Sequence, residues 1–297
     1  MRADSTGKPA PAGLTVGSHA AKLWGMDVTS RWQLMATGIV TPKGNASTLD
    51  APGFLLERFA PLAGGRPPLT VPFDRSVNVA HAAYRSCDLI HDAVDQALVA
   101  RQRPLLLGGE CSLIAGSLSA AVDRIPNLRL AFFDAHGDFN TAQTSPSQYL
   151  GGMCFAHVCG LLNAGLPWRA ASPFPGKRAF LIGGRQLDPG EEVNLQRAGV
   201  IRVDPSKEFA LEPLSKALQR APLWIHVDLD VVDPSENFAV SHPVPGGISF
   251  VRLAKLLGEL ATLAEICGME ICGYQPAIDP QRALPSRIAA AVAHVVG

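Results

Sequence analysis

Short apolar runs recur along the chain at residues 104–107, 128–133, 179–182, 223–227 and 269–272. Each is too short for a helix and apolar on both faces, which is the signature of a strand buried in a parallel sheet. Between them, residues 79–100, 113–122, 189–198, 213–218, 250–263 and 285–296 carry apolar side chains three and four positions apart, a spacing that predicts amphipathic helices. Alternation of the two kinds of segment predicts an α/β fold, with a mainly parallel sheet between helical layers. No internal repeat or linker divides the pattern, so residues 18–297 are expected to form one domain. Residues 1–17, rich in Ala, Pro, Gly, Ser and Thr without periodicity, are expected to be a loose tail.

In open parallel sheets, ligands bind at the carboxyl ends of the strands, so the polar residues that follow each apolar run matter most. LLLGG leads into Glu110 and Cys111, LAFF into Asp134, His136 and Asp138, and WIHV into Asp228, Asp230 and Asp233. If the backbone stays extended there, Asp134, His136 and Asp138 point to one side, because side-chain direction repeats every two residues; Asp228 and Asp230 would do the same. His226 would share the face of Asp228 by the same rule, as a supporting contact or as packing. Four or more converging carboxylates repel one another, and bound cations resolve the repulsion.

Oxygen ligands with one imidazole suit Mn²⁺, whereas the thiolate of Cys111 would draw Zn²⁺ or Fe²⁺. Two cations roughly 3.5–4 Å apart share and acidify a water, which implies hydrolysis. The plainer reading of an isolated Asp-x-Asp at a strand end is a turn or helix cap, and of an isolated cysteine a small buried hydrophobe. Two acidic clusters plus Cys111, all at strand ends, favour the cations.

Composition narrows the partners. Lys plus Arg equals Asp plus Glu at 26 each, which gives no electrostatic basis for binding nucleic acid, a membrane or a polyanion and points to a small-molecule substrate. The six cysteines form no zinc-ribbon pairs, and reduced thiols in a cytoplasm fit a chain of this size best. Neither a signal-peptide core nor an uninterrupted apolar stretch of ~18–20 residues is present, so the protein is expected to be neither secreted nor membrane-spanning.

The segments GGEC at 108–111, DAHGDFN at 134–140 and HVDLDVVDPS at 226–235 resemble the metal-binding signatures of the ureohydrolases, the family of arginase, agmatinase and formimidoylglutamase. LIGGRQLDPGEE at 181–192 and HPVPGGIS at 242–249 extend the likeness. It implies a three-layer α/β/α sandwich, two divalent cations, preferably Mn²⁺, and assembly as trimers or hexamers. By the same likeness Asp134 and Asp228 bridge the cations, Cys111 and Asp138 hold one, and His136 and Asp230 hold the other. Asn140, Ser147 and Asp188 fall where arginases bind the amino-acid end of the substrate.

Departures shape the functional expectation. Cys111 stands where the family has His, and Glu110 where it has Asp. Gly151 replaces a proton-shuttling His, and Gly273 replaces a Glu that binds guanidinium; Tyr149 and Gln186 also differ. A buried cation needs a carboxylate partner, so the expectation is a hydrolase of a linear guanidino, hydroxyguanidino or formimino C–N bond rather than an ordinary arginase. His242 is the candidate catalytic imidazole. Glu270 is a candidate substitute for the missing Glu, Arg185 a candidate carboxylate ligand or, equally, one half of a structural salt bridge, and His157 reads as a satisfied helix histidine. The alternative is an arginase-like subunit or sensor that keeps the fold without catalysis.

Overall fold

Each of the five predicted strands forms, joined by three that the apolar pattern does not reveal. A computed structural model describes residues 32–64, 66–161, 168 and 172–296; the expected tail at 1–17 lies outside them. The strands are β1 (Trp32–Thr37), β2 (Leu69–Val71), β3 (Arg103–Gly108), β4 (Arg129–Asp134), β5 (Ala179–Gly183), β6 (Ile201–Val203), β7 (Pro222–Asp228) and β8 (Glu265–Cys272). They make one sheet in the order β2-β1-β3-β8-β7-β4-β5-β6, parallel at every pairing.

The helices are α1 (Ala51–Phe59), α2 (Val79–Val99), α3 (Ile114–Arg124), α4 (Cys154–Val158), α5 (Pro189–Ala198), α6 (Ser215–Leu218), α7 (Phe250–Leu263) and α8 (Leu284–Val296). Their ends follow local chemistry. Asn78 caps α2 by accepting from Ala80 N at 2.9 Å, and Ser249 caps α7 by accepting from Arg252 N at 3.0 Å. Pro189 opens α5 behind a reciprocal Asp188–Glu191 capping box, and Gly199 closes it in the left-handed region. Only the 213–218 segment is less regular than predicted: a 3₁₀ turn over Glu212–Leu214 runs into the single turn of α6.

Two apolar cores lie on opposite faces of the sheet, which makes the three-layer sandwich. On one face Leu105, Leu107, Phe133, Val227 and Ile271 pack with Leu55 of α1, Leu256 of α7 and Ile288 of α8. On the other, Leu106, Phe132, Trp224 and Cys272 pack with Ile90 of α2, Leu118 of α3 and Phe155 of α4. At ~1.5–3 kcal/mol for each large apolar side chain fully buried, these layers hold the sheet rigid beneath the strand ends. Three of the four central strands, β3, β7 and β4, carry the candidate ligands at their carboxyl ends, and β8 lies between β3 and β7.

Candidate metal centre and substrate cavity

Strand register brings the ligands together. Asp228 pairs with Cys272 across β7 and β8, and Phe133 pairs with Val227 across β4 and β7, so Asp134 and Asp228 end neighbouring strands side by side. Beyond these points the backbone turns rather than staying extended. Asp138 adopts φ +47°, and Asp228 caps a 3₁₀ turn at Leu229–Val231 by accepting from Asp230 N at 2.8 Å. The acidic residues therefore converge through tight turns locked by their own carboxylates, not through two-residue alternation. Asp134 Oδ1 accepts from His136 N at 2.6 Å, and Asp230 Oδ1 accepts from Ala135 N at 2.9 Å.

Of three groups of mutually close ligand atoms among the described residues, two share Asp134: Cys111, Asp134 and Asp228 form one, and Asp134, His136 and Asp230 the other. Within the first, Cys111 Sγ donates to Asp228 Oδ2 at 2.8 Å and lies 3.9 Å from Asp134 Oδ2. Within the second, His136 Nδ1 lies 2.9 Å from Asp230 Oδ2. Asp138 belongs to neither group but lines the same pocket, where its Oδ2 accepts from Cys154 Sγ at 3.4 Å.

The converging groups shift one another's protonation. Burial, then neighbouring acidic groups and Cys272, push Asp228 well above the carboxylate range, and burial with Asp134 does the same to Asp138. Asp230 is pushed up to about 6, again by burial and then Asp134. Burial opposes the charge on His136, yet its bonds to Asp134 and Asp230 push it up to about 12. Those His136 contacts more than offset burial at Asp134, which sits below the usual range. One imidazolium thus serves several carboxylates, and the donor set of carboxylates, thiol and imidazole fits divalent cations.

A pocket of about 50 Å³ holds these groups, walled by Glu110, Tyr149, Gly151, Ser241, His242 and Gly273 among others. It opens into an outer cavity of about 350 Å³ that meets Asn140, Ser147 and Asp188 together, along with Lys43, Gln186 and His242. Asn140 Nδ2 donates to Asp188 Oδ2 at 2.9 Å, and Lys43 Nζ donates to Ser147 O at 2.7 Å. His242 lines both spaces, its ring centroid 6.2 Å from that of His136 and 5.7 Å from that of Tyr149.

Both glycine departures have a steric cause. A Cβ on Gly151 would clash with the hydroxyl end of the Tyr149 ring, and one on Gly273, at φ +87°, would strike the Asp228 carboxyl. Tyr149 thus fills the space above Gly151, and its hydroxyl donates to Glu110 Oε2 at 2.8 Å. Glu110 Oε1 accepts from Thr41 N at 2.7 Å and from the Ser112 hydroxyl. Sequence reasoning noted Glu110 and Tyr149 only as departures and missed Lys43 altogether; no motif marks a lone lysine on a loop.

Other expectations resolve differently. Glu270 faces away from the pocket, where its Oε1 meets His226 Nδ1 at 2.6 Å and its Oε2 accepts from the Ser117 hydroxyl, so it does not substitute for the missing Glu. Among the described residues Arg185 meets backbone carbonyls rather than a carboxylate side chain: it donates to those of Asp230, Val231, Val244 and Pro245. His157 lies on α4 beside Trp168, ring centroids 5.0 Å apart.

Residues 65–296 match the family described as Arginase family. Over 194 residues the chain is 30% identical to an N(omega)-hydroxy-L-arginine amidinohydrolase of Streptomyces lavendulae, an alignment that covers 65% of this chain and 68% of that protein. An arginase of Bacillus caldovelox is 29% identical over 216 residues, 69% of this chain and 72% of its own. The solved structure of that organism's arginase superimposes with a TM-score of 0.77 at 24% identity, covering 89% of this chain and 98% of the other. A formimidoylglutamase from Bacillus subtilis has the same fold, with a TM-score of 0.70 at 16% identity over 91% of this chain and 88% of its own.

Proposed function

The chain belongs to the arginase family of hydrolases, and from that premise we propose that it hydrolyses a guanidino- or amidino-type C–N bond whose terminal group is not an ordinary guanidinium. The observation that carries this is the pair of ligand groups joined at Asp134. Cys111, Asp134 and Asp228 would hold one divalent cation, and Asp134, His136 and Asp230 the other, with Asp138 alongside; Mn²⁺ is the preferred ion. When bound, the two cations supply an acidified water and Lewis acidity toward an electrophilic carbon.

The protein's own side chains define the substrate. Asp188, Asn140 and Ser147 offer acceptors to an α-amino group, while Lys43 on the same cavity wall offers a cation to an α-carboxylate. That pairing suits a zwitterionic amino-acid end. Deeper in, Gly273 leaves no carboxylate to meet a guanidinium, and the Glu110 oxygens are engaged by Thr41, Ser112 and Tyr149. The inner wall is therefore lined by hydroxyls and amides, such as Tyr149, Thr48, Asn45 and Ser241, which suit a hydroxyguanidine or formimino group. The resemblance to a hydroxyarginine amidinohydrolase supports the first of these. His242, at the junction of the two spaces, would take and return the proton needed by the leaving amine.

The test is turnover by the Mn²⁺-loaded protein on N(omega)-hydroxyarginine, arginine and a formimino amino acid, with metal content measured per chain. Expected are about two ions per chain, a kcat/KM at least tenfold higher on a substrate with a hydroxylated or formimino end than on arginine, and loss of turnover in Asp230→Ala with its fold retained. Two bound ions without turnover on any of the three would overturn the hydrolase reading in favour of a subunit or sensor.

A further inference from the structure

Behind the carboxylates, on the α3 side of the sheet, lies a second cluster of soft ligands. Cys111 Sγ is 3.4 Å from Cys272 Sγ, and Cys272 Sγ is 3.5 Å from His226 Nε2. All three ligand atoms lie within 4.8 Å of one another. We propose that Cys111, Cys272 and His226 form a binding position for a thiophilic divalent cation of the Zn²⁺ class, an alternative to the position between Cys111, Asp134 and Asp228.

The distances suit a tetrahedral ion. With metal–sulfur and metal–nitrogen bonds of ~2.3 and ~2.0–2.1 Å, the tetrahedral edges are about 3.8 Å for S···S and about 3.5 Å for S···N. The thiol pair has to open by a few tenths of an ångström, and the thiol–imidazole edge already fits. Asp228 Oδ2, 3.8 Å from Cys272 Sγ but only 2.8 Å from Cys111 Sγ, is the oxygen that would complete four ligands after moving from Cys111 toward a tetrahedral S···O edge of about 3.5 Å.

The imidazole is held as a ligating histidine is held. His226 Nδ1 meets Glu270 Oε1 at 2.6 Å, Glu270 is backed by the Ser117 hydroxyl, and the ring stacks on Phe132 with centroids 4.1 Å apart and planes 7° from parallel. A carboxylate on one ring nitrogen fixes the tautomer and aims the other nitrogen at the metal. Here that other nitrogen faces sulfur. His226, Glu270 and Cys272 are fully buried, and thiols are weak hydrogen-bond partners for an imidazole–carboxylate pair buried at this depth. A cation compensates the burial where thiols alone do so poorly. On binding, one bond forms to each sulfur and one to Nε2, and the protons on Cys111 and on the Cys272–His226 pair pass to solvent.

Cys111 and Asp228 serve both positions, so an ion here and an ion between Cys111, Asp134 and Asp228 exclude each other. Even so, the proposal stands without catalysis: Asp230→Ala removes a carboxylate that the thiol cluster does not use.

The full chain, reduced and stripped with a chelator, is titrated with Co²⁺ under anaerobic conditions while thiolate-to-cobalt charge-transfer absorption is followed. Wild type should show the band of two thiolates, Cys272→Ser about half of it, and Asp230→Ala all of it. Glu270→Gln should keep the band but bind Co²⁺ ~10–100-fold more weakly. A wild type without the band, or a band that Cys272→Ser leaves unchanged, overturns the proposal. If Cys272→Ser fails to fold, X-ray absorption on Zn²⁺-loaded wild type decides: two sulfurs at ~2.3 Å support the site, and one or none overturns it.

Discussion

The ring of Tyr149 occupies the volume that a side chain on Gly151 would need. Its hydroxyl is simultaneously the donor to Glu110 Oε2, at 2.8 Å. The two positions are therefore a matched pair. Gly151→Ala forces Tyr149 out and should cost about 1–3 kcal/mol by overpacking, whereas Gly151→Ala in a Tyr149→Ala background should recover much of that loss. Thermal unfolding of the two singles and the double measures the coupling; additivity would contradict the pairing.

Lys43 and Asp188 line the outer cavity together, where the proposed function assigns them to the substrate's far end. If they hold the zwitterion, Lys43→Ala should raise KM about tenfold while kcat changes little, the pattern of binding shared by ground and transition states. Asp188→Asn should act the same way while leaving α5 capped, since Asn caps a helix about as well as Asp. Steady-state kinetics on the substrate and on its des-amino analogue separates the two ends: the analogue should be insensitive to Asp188→Asn.

Glu191 gives the fold a pH dependence of its own. Burial pushes its carboxyl up to about 7, against the bonds it accepts from Phe139 N and Asp188 N. A carboxyl whose pKa is higher in the folded state than in the unfolded chain binds more protons when folded. Its contribution is therefore greatest below the unfolded value of about 4.5 and is lost as pH rises toward 7. Unfolding midpoints should fall over that window by an amount corresponding to on the order of 1–3 kcal/mol, and Glu191→Gln should flatten the slope. An equal slope in the variant would assign the titration to another group.

Arg185 ties the loop of His242 to the end of β7 through carbonyls on both sides, with the shortest of the four bonds, 2.6 Å, to Val244 O. Arg185→Lys cannot reach all four acceptors and should cost about 1–2 kcal/mol. Hydrogen exchange should rise selectively at residues 244–249, and a uniform increase across the sheet would argue for global loosening instead.

Sequence and structure agree where the physics is local and strong. The runs at 128–133 and 223–227 are long, apolar and bounded by acidic residues, so β4 and β7 are legible with their ligands attached. β1 is not, because Gln33 and Thr37 interrupt its apolar run although both side chains are buried, their polar atoms bonded to backbone carbonyls. β2 and β6, three residues each at the sheet's edges, are too short to show a period. The candidate ligands are legible as residue types at strand ends. Their convergence by tight turns is not, since it depends on the φ of Asp138 and on bonds such as Asp230 Oδ1 to Ala135 N. The Cys111–Cys272 contact joins residues 161 positions apart, and only register brings them together.

β8 lies between β3 and β7 and joins the β2-β1-β3 half of the sheet to the β7-β4-β5-β6 half. During synthesis the chain reaches this strand last of all its strands, so until residues 265–272 have emerged two half-sheets wait with facing, unpaired edges, a state exposed to mispairing. Cys111 and Asp228 sit on opposite halves and acquire their native spacing only when the last strand slots in. The proposed position between Cys111, Asp134 and Asp228 would thus be complete only at the end of folding, whereas Asp134, His136 and Asp230 all lie at or just beyond the ends of β4 and β7 and do not need β8 to meet.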